Sequence, residues 1–123
     1  MRDRVQREAV LPAGRADVWD AITRPERLAE WFGGEVEIDP VPRGRVVHRS
    51  PDATVRAGFV LSADRPFRLT FWWCSEGADE MDEGTQVEFV LLEHPEGTAL
   101  TVTEYPAPNP AIRGAGPSPA MAS

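Results

Sequence analysis

One helical stretch near the start of the chain constrains the fold more than any other part of the sequence. Between Asp17 and Gly34, apolar residues recur with helical spacing in two short blocks. Pro25 separates the blocks, because proline cannot continue a helix but suits the first position of a new one. Gly33 and Gly34 then favour a left-handed stop. Two helices of roughly two to three turns are unstable alone, so we expect them to pack on something larger.

The rest of the chain is strand-like almost to its end. Short turns between the predicted strands favour antiparallel hairpins. The segment 67–75 has apolar side chains on both faces, which is typical of a central strand. We therefore predict an α+β fold, a curved antiparallel sheet of about seven strands with two short helices after the first strand. The predicted strands cover residues 4–11, 35–39, 45–50, 54–62, 67–75, 85–93 and 98–105.

Charge and residue usage exclude several classes of function. The 123 residues carry a formal net charge of −7, and all 13 basic residues are arginine. An acidic domain without a basic stripe is a poor candidate for nucleic-acid binding. The absence of lysine excludes Schiff-base chemistry. The single Cys74 cannot form an internal disulfide, and neither a signal peptide nor a membrane span is recognisable, so we expect a soluble cytoplasmic protein.

No sequence motif indicates catalysis or metal binding. His48, His94 and Cys74 lack the paired spacing of a metal site. The chain has no nucleophile elbow, and no basic residue lies next to Cys74 to activate it. His48 could act as an acid–base group only if it pointed into the fold, and a surface position is the more frequent case. We therefore expect no catalytic residue, no metal and no cofactor.

The aromatic residues are the most informative set. Trp72 and Trp73 are adjacent in one predicted strand, so one of them lines the concave face of the sheet and the other needs a different cover. A mostly apolar face with a few polar groups, for which Arg56 and Glu104 are candidates, is typical of a site for a hydrophobic ligand. Plain core packing is the alternative interpretation. The predicted ligand-binding residues are Trp31, Phe32, Phe59, Phe71, Trp73 and Phe89.

Four short motifs, taken in order, resemble one known family. They are ADVWDA from Ala16, TRPERL from Thr23, WFG from Trp31 and GTALTVTE from Gly97. Together with the order strand, helix, helix, six strands, they resemble the activator of heat shock protein 90 ATPase-like (AHSA-type) branch of the START/SRPBCC superfamily over residues from about 4 to 105. The resemblance implies a helix-grip fold, in which a curved sheet wraps around a long C-terminal helix and leaves a cavity for hydrophobic molecules.

The C-terminal segment departs from this family pattern. Residues 106–123 contain five prolines and few apolar groups, so we predict a disordered tail after a domain spanning 4–105, in place of the gripped helix. Without that helix the concave face would expose a large apolar patch. The simplest cover is a second copy of the chain, giving a homodimer through the open concave face. A ligand could fill part of the patch, and a truncated, marginally stable chain is the alternative.

Three functions remain open at this point. The resemblance and the aromatic face favour non-catalytic binding of a small hydrophobic ligand in the concave face of the sheet. The name of the family branch implies an alternative, a protein-interaction or chaperone-regulator module with a chaperone as its partner. The third is a cyclase- or hydrolase-type enzyme, which ranks last because no acid–base pair is identifiable.

Overall fold

The computed structural model describes residues 4–75 and 83–110, and only the backbone of Trp31 and Glu83. The predicted order of one strand, two helices and six strands is confirmed, as is the α+β class. The tail beyond residue 110, and with it the predicted loss of the C-terminal helix, lies outside the described residues. The elements are β1 (Val5–Leu11), α1 (Arg15–Ile22), α2 (Pro25–Phe32), β2 (Glu35–Ile38), β3 (Arg45–Arg49), β4 (Val55–Asp64), β5 (Arg68–Ser75), β6 (Glu83–His94) and β7 (Gly97–Pro108).

All seven strands belong to one curled antiparallel sheet, in the order β1-β7-β6-β5-β4-β3-β2. From β2 to β7, each strand pairs with the next one along the chain. The first strand instead pairs with the last, with Val5 opposite Glu104 and Leu11 opposite Thr98. β5 therefore lies inside the sheet, as its apolar residues on both faces predicted.

The helix pair is formed as the sequence predicts. Pro25 lies in the first turn of α2, and Gly33 ends the helix with φ 80°, followed by Gly34 with φ 70°. A Cβ atom on Gly34 would also collide with the backbone carbonyl oxygen of Arg49, so this turn needs glycine for two reasons. None of the described helices is long and apolar enough to cross a membrane.

The hydrophobic core lies between the helix pair and one face of the sheet, which is termed the inner face here; the opposite side is the outer face. α1 contacts β6 and β7, whereas α2 contacts β2. Phe71, Trp73 and Phe89 are fully buried within the single chain, so these three side chains do not belong to the exposed apolar patch that the sequence predicts. The core contains Val18, Trp19, Ile22 and Leu28 from the helices, and Val36, Val46, Val60, Leu69, Phe71, Trp73, Val87, Phe89, Leu91, Leu100 and Val102 from the sheet.

The last strand is longer than predicted. β7 runs to Pro108, so the first three residues of the predicted tail belong to the sheet. Beyond Glu104, the only described neighbour of β7 is β6, because β1 begins at Val5. Proline lacks the N–H donor of a strand ladder and is tolerated where one side of a strand is free. Pro106 and Pro108 therefore fit a strand at this position.

Candidate functional site

A histidine, an arginine and a tryptophan from three neighbouring strands meet on the inner face. His48 of β3 lies opposite Arg56 of β4, and Trp73 of β5 lies opposite Gly58, two residues further along β4. Because side chains alternate along a strand, all three point to the side that the helices cover. The cluster is termed the Arg56 site, and it consists of His48, Arg56 and Trp73, with Phe32 of α2 and Glu104 of β7 beside them.

Both ring nitrogens of His48 are hydrogen-bonded. Nε of Arg56 donates to Nδ1 over 3.2 Å, and Nη2 of Arg56 lies 2.9 Å from the same atom. A guanidinium carries only donors, so Nδ1 is the acceptor and Nε2 carries the proton. Nε2 then donates to the carbonyl oxygen of Gly33 over 2.8 Å. His48 is 3 % exposed, and in this neutral tautomer it joins β3 to the end of α2 and positions Arg56.

The guanidinium of Arg56 lies on the indole ring of Trp73. Its Cζ is 4.2 Å from the ring centroid, which is the geometry of a cation–π interaction. Burial lowers the pKa of Arg56 from its ordinary value, and the negative charge of Glu104 partly offsets this by raising it. Arginine titrates so far above neutrality that the group stays charged. The ion pair of Glu104 is with Arg7 at 3.5 Å, and no carboxylate within residues 4–75 and 84–110 comes within 4.0 Å of Arg56.

Aromatic rings enclose Trp73. Phe32 meets it edge-on with centroids 5.0 Å apart, His48 stacks at 5.4 Å, and Phe71 packs at 4.9 Å. Trp73 is fully buried, yet its Nε1–H finds no acceptor in the described part of the chain. A buried donor without a partner costs about 1–3 kcal/mol. Considering only the described residues, the Arg56 site thus combines a cation without a paired carboxylate and an indole N–H without an acceptor.

Four of the predicted ligand-binding residues lie together, but with unequal access. Phe71, Trp73 and Phe89 share the inner face and have no exposed surface. Phe32 packs against them from α2 and is half-buried. Phe71 and Phe89 therefore act as core residues, which is the alternative that the sequence left open. Among these four aromatic residues, Phe32 is the one with accessible surface.

The other two predicted residues do not join this group. Phe59 lies opposite Trp72 on the outer face, with the ring centroids 6.1 Å apart, so the expectation that it lines the inner face is wrong. It lies an odd number of positions from Arg56, and a regular strand places such residues on opposite faces. The side chain of Trp31 lies outside the described part of the structure.

His48 is the residue that sequence reasoning missed. The sequence favoured a surface position, whereas the structure buries His48 on the inner face. The signal was its place two residues after Val46, a core residue on the same face of β3. Arg56 and Glu104, in contrast, were predicted as inward polar groups and both lie on the inner face. Arg56 is half-buried, and the Glu104 side chain is 18 % exposed.

Two grooves beside the helix pair lie away from this cluster. One of about 540 Å³ runs between α2 and β2, past Ala29 and Val36. The other, of about 320 Å³, lies between the end of β1 and the helices, past Leu11 and Ile22. None of their described lining residues belongs to the predicted ligand-binding set. Among the residues that the structure describes, no three His, Cys, Asp or Glu side chains are grouped closely enough to hold a metal ion.

Comparison with known families identifies the fold. The family described as Activator of Hsp90 ATPase homolog 1-like protein matches residues 12–118. The chain belongs to this family. The resemblance carried by the four sequence motifs is therefore confirmed, and the match extends over residues 106–118, which the sequence analysis had separated from the family domain.

Solved structures share the same architecture. A protein from Mesorhizobium loti is 22% identical with a TM-score of 0.72, over 91% of this chain and 82% of that chain. A protein from Rhodobacter sphaeroides is 27% identical with a TM-score of 0.65, over 93% and 78% of the two chains. DynU16, a protein of the dynemicin biosynthetic locus, is 27% identical with a TM-score of 0.69, over 94% of this chain but 41% of its own. A search of curated proteins gives no significant match.

Proposed function

We propose that this chain is a non-catalytic binding protein for a small hydrophobic molecule, which it holds at the Arg56 site. The observation that carries the proposal is the convergence of a half-buried guanidinium, several aromatic rings and an indole N–H without an acceptor on one face. Small-molecule sites share this combination of an apolar lining with a few directing polar groups. The family is compatible with ligand binding, and the structural neighbour DynU16 comes from a biosynthetic locus.

The ligand contacts the accessible edge of the inner face rather than its centre. Phe32 and Arg56 retain exposed surface, as does Glu104 on β7. Phe71 and Phe89 have none, because they pack against the helices and the neighbouring strands. The buried rings therefore support the site from below, and Phe32 supplies the apolar contact.

The state of His48 favours binding over catalysis. A general acid or base needs a ring nitrogen that can reach the substrate. Nε2 of His48 is held by the carbonyl oxygen of Gly33, and Nδ1 by the guanidinium of Arg56. Both nitrogens thus serve protein partners, and the histidine positions the arginine instead of transferring protons.

The proposal is tested by titration calorimetry with fatty acids, fatty alcohols and small aromatic compounds. We expect one-to-one binding by members of at least one class. Phe32→Ala should weaken that binding by about tenfold or more, because loss of a buried Phe contact is worth about 1.5–3 kcal/mol. Phe67→Ala is the matched control, because Phe67 is 43% exposed and the guanidinium of Arg15 lies over its ring. Failure of every compound class to bind would overturn the proposal.

The homodimer and the chaperone partner remain predictions, as does the cytoplasmic location. The exposed aromatic row that motivated the dimer is reduced, because Phe71, Trp73 and Phe89 are buried in one chain. Sedimentation of the purified chain measures self-association, and it does so independently of ligand binding. Recovery of a chaperone by the immobilised chain would support the regulator role that the family name implies.

A further inference from the structure

Among the described side chains, arginines outnumber carboxylates at the accessible edge of the inner face. Arg7 and Arg56 both face this side, and Glu104 is the carboxylate between them. Glu104 forms its ion pair with Arg7, so Arg56 feels its charge only at longer range. The chain as a whole has a formal net charge of −7, so this patch runs against the overall sign. Such a local reversal favours an anion at this position.

The guanidinium of Arg56 has more N–H donors than the described residues accept hydrogen bonds from. A guanidinium carries five N–H groups, and Nε and Nη2 of Arg56 are directed at a single atom, Nδ1 of His48. The remaining N–H groups have no acceptor in the part of the chain that the structure describes. Burial lowers the pKa of this arginine, and the charge of Glu104 partly offsets this by raising it. A carboxylate is an anionic group whose planar acceptors match such guanidinium donors.

Trp73 provides an independent observation at the same place. Its indole ring is fully buried beneath the guanidinium of Arg56, and its N–H has no acceptor among the described residues. Buried donors are nearly always paired in native proteins, so an unpaired one points to a water, an ion or a ligand group that the chain does not supply. Both residues thus have N–H donors without an acceptor in the described part of the chain, but only the donor of Trp73 is shielded from solvent.

On the basis of the proposed function, we infer that the ligand is an amphipathic carboxylic acid. Its carboxylate accepts hydrogen bonds from the outward N–H groups of Arg56, in the fork geometry that guanidinium and carboxylate share. The apolar body of the molecule lies against Phe32.

The test compares molecules that differ only in the head group. Dodecanoic acid is paired with dodecan-1-ol, and 2-naphthoic acid with 2-naphthamide, in titration calorimetry with the full chain at neutral pH. We expect the acid of at least one pair to bind about tenfold or more tightly than its neutral analogue, as for charge-assisted hydrogen bonds in a partly buried site. Arg56→Gln should abolish this preference, because it weakens binding of the acid far more than binding of the neutral analogue.

Two further variants keep the test interpretable. Arg56→Lys retains the charge but loses the fork, so it should retain part of the preference for the acid even where Arg56→Gln disturbs folding. Arg45→Gln is the matched control, because Arg45 is exposed on the outer face opposite Phe59. It should leave the affinities for acid and neutral analogue as in the wild type.

A spectroscopic readout reports on the site directly. The indole N–H resonance of Trp73 is assigned in a proton–nitrogen NMR spectrum by its loss in Trp73→Phe. At equal occupancy, the acid should move this resonance further than the neutral analogue does, because its carboxylate binds the guanidinium that covers the indole ring.

The outcomes separate the two proposals. Equal affinity for acid and neutral analogue, or a preference that survives Arg56→Gln, overturns the carboxylate inference and leaves ligand binding intact. Failure of both members of every pair to bind overturns the proposed function, and the inference falls with it. An acid preference that Arg56→Gln removes and Arg45→Gln preserves supports both.

Discussion

Trp72 and Trp73 are adjacent in β5 and both are buried, but their indole N–H groups differ in hydrogen bonding. On the outer face, Nε1 of Trp72 donates to the backbone carbonyl oxygen of Ala107 over 2.9 Å. On the inner face, Nε1 of Trp73 has no acceptor in the described part of the chain, and a guanidinium covers its ring. Burial alone therefore does not distinguish the two tryptophans. The hydrogen-bonding state of the indole N–H does.

Trp72 on the outer face is closely packed, and its indole N–H is hydrogen-bonded. Gly84 of β6 leaves the space that the indole of Trp72 occupies, and a Cβ atom there would lie 2.5 Å from Cζ2 of that ring. Nearby, Nε2 of Gln86 donates to the hydroxyl of Tyr105 over 2.6 Å. The outer-face cluster, made of Phe59, Trp72, Gly84, Gln86 and Tyr105, is thus packed and hydrogen-bonded within the chain. The Arg56 site on the other face has N–H donors for which residues 4–75 and 84–110 provide no acceptor.

The largest expected effect on stability comes from removing the indole ring of Trp73. Trp73→Ala should lower the free energy of unfolding by about 3–5 kcal/mol, because the fully buried indole packs against Phe32, His48 and Phe71 and its loss leaves a cavity. Urea unfolding followed by circular dichroism measures the change. A midpoint equal to that of the wild type would show that the ring is not part of the core.

Two more conservative substitutions test the difference in hydrogen bonding between the two tryptophans. Trp72→Phe and Trp73→Phe remove similar volumes, but only the first breaks a hydrogen bond and leaves the carbonyl of Ala107 without its donor. The second deletes a donor that has no partner. Trp72→Phe should therefore cost about 1–2 kcal/mol more than Trp73→Phe in the same unfolding assay. Equal costs, or the reverse order, would mean that the two indoles do not differ in this way.

The smallest expected effect is a pH dependence of stability that arises from Tyr105 on the outer face. Burial raises the pKa of Tyr105 above its ordinary value of 10.0, the charge of Glu88 raises it further, and the guanidinium of Arg4 over the ring lowers it. A raised pKa means that folding favours the neutral phenol, so this contribution is present below pH 10 and is lost as the pH rises through the folded-state value.

Stability should therefore fall above about pH 10 more steeply in the wild type than in Tyr105→Phe. Urea midpoints across this range measure the difference. Parallel curves for the two proteins would contradict the assignment to Tyr105.

The element order was predictable because each boundary has a local cause. Pro25 starts α2 and Gly33 ends it, and the alternation in β2 puts Val36 inside while its flanking glutamates stay exposed. The extension of β7 to Pro108 was not predictable in this way. Proline is disfavoured in strands, and it is tolerated here only because β1 does not reach this part of β7.

The Arg56 site was only partly predictable, because it depends on register between strands. His48 meets Arg56 only when the turn between β3 and β4 sets that register, and this turn includes Ala53 with φ 73°. The sequence shows no requirement for a positive φ at an alanine. Further along β4, a register shift between Val60 and Ser62 changes the pairing with β5, and alternation alone does not reveal it.

The pairing of β1 with β7 also determines the order in which the chain can fold. β2 to β7 form successive hairpins, each of which closes a short loop, whereas β1 finds its partner only across almost the whole chain. Closing such a long loop is the slow step for a sheet of this kind. During synthesis β1 leaves the ribosome first, and it has no sheet partner until residues 98–104 follow. Its exposed Gln6, Arg7 and Glu8 keep this segment polar enough to stay in water during that interval.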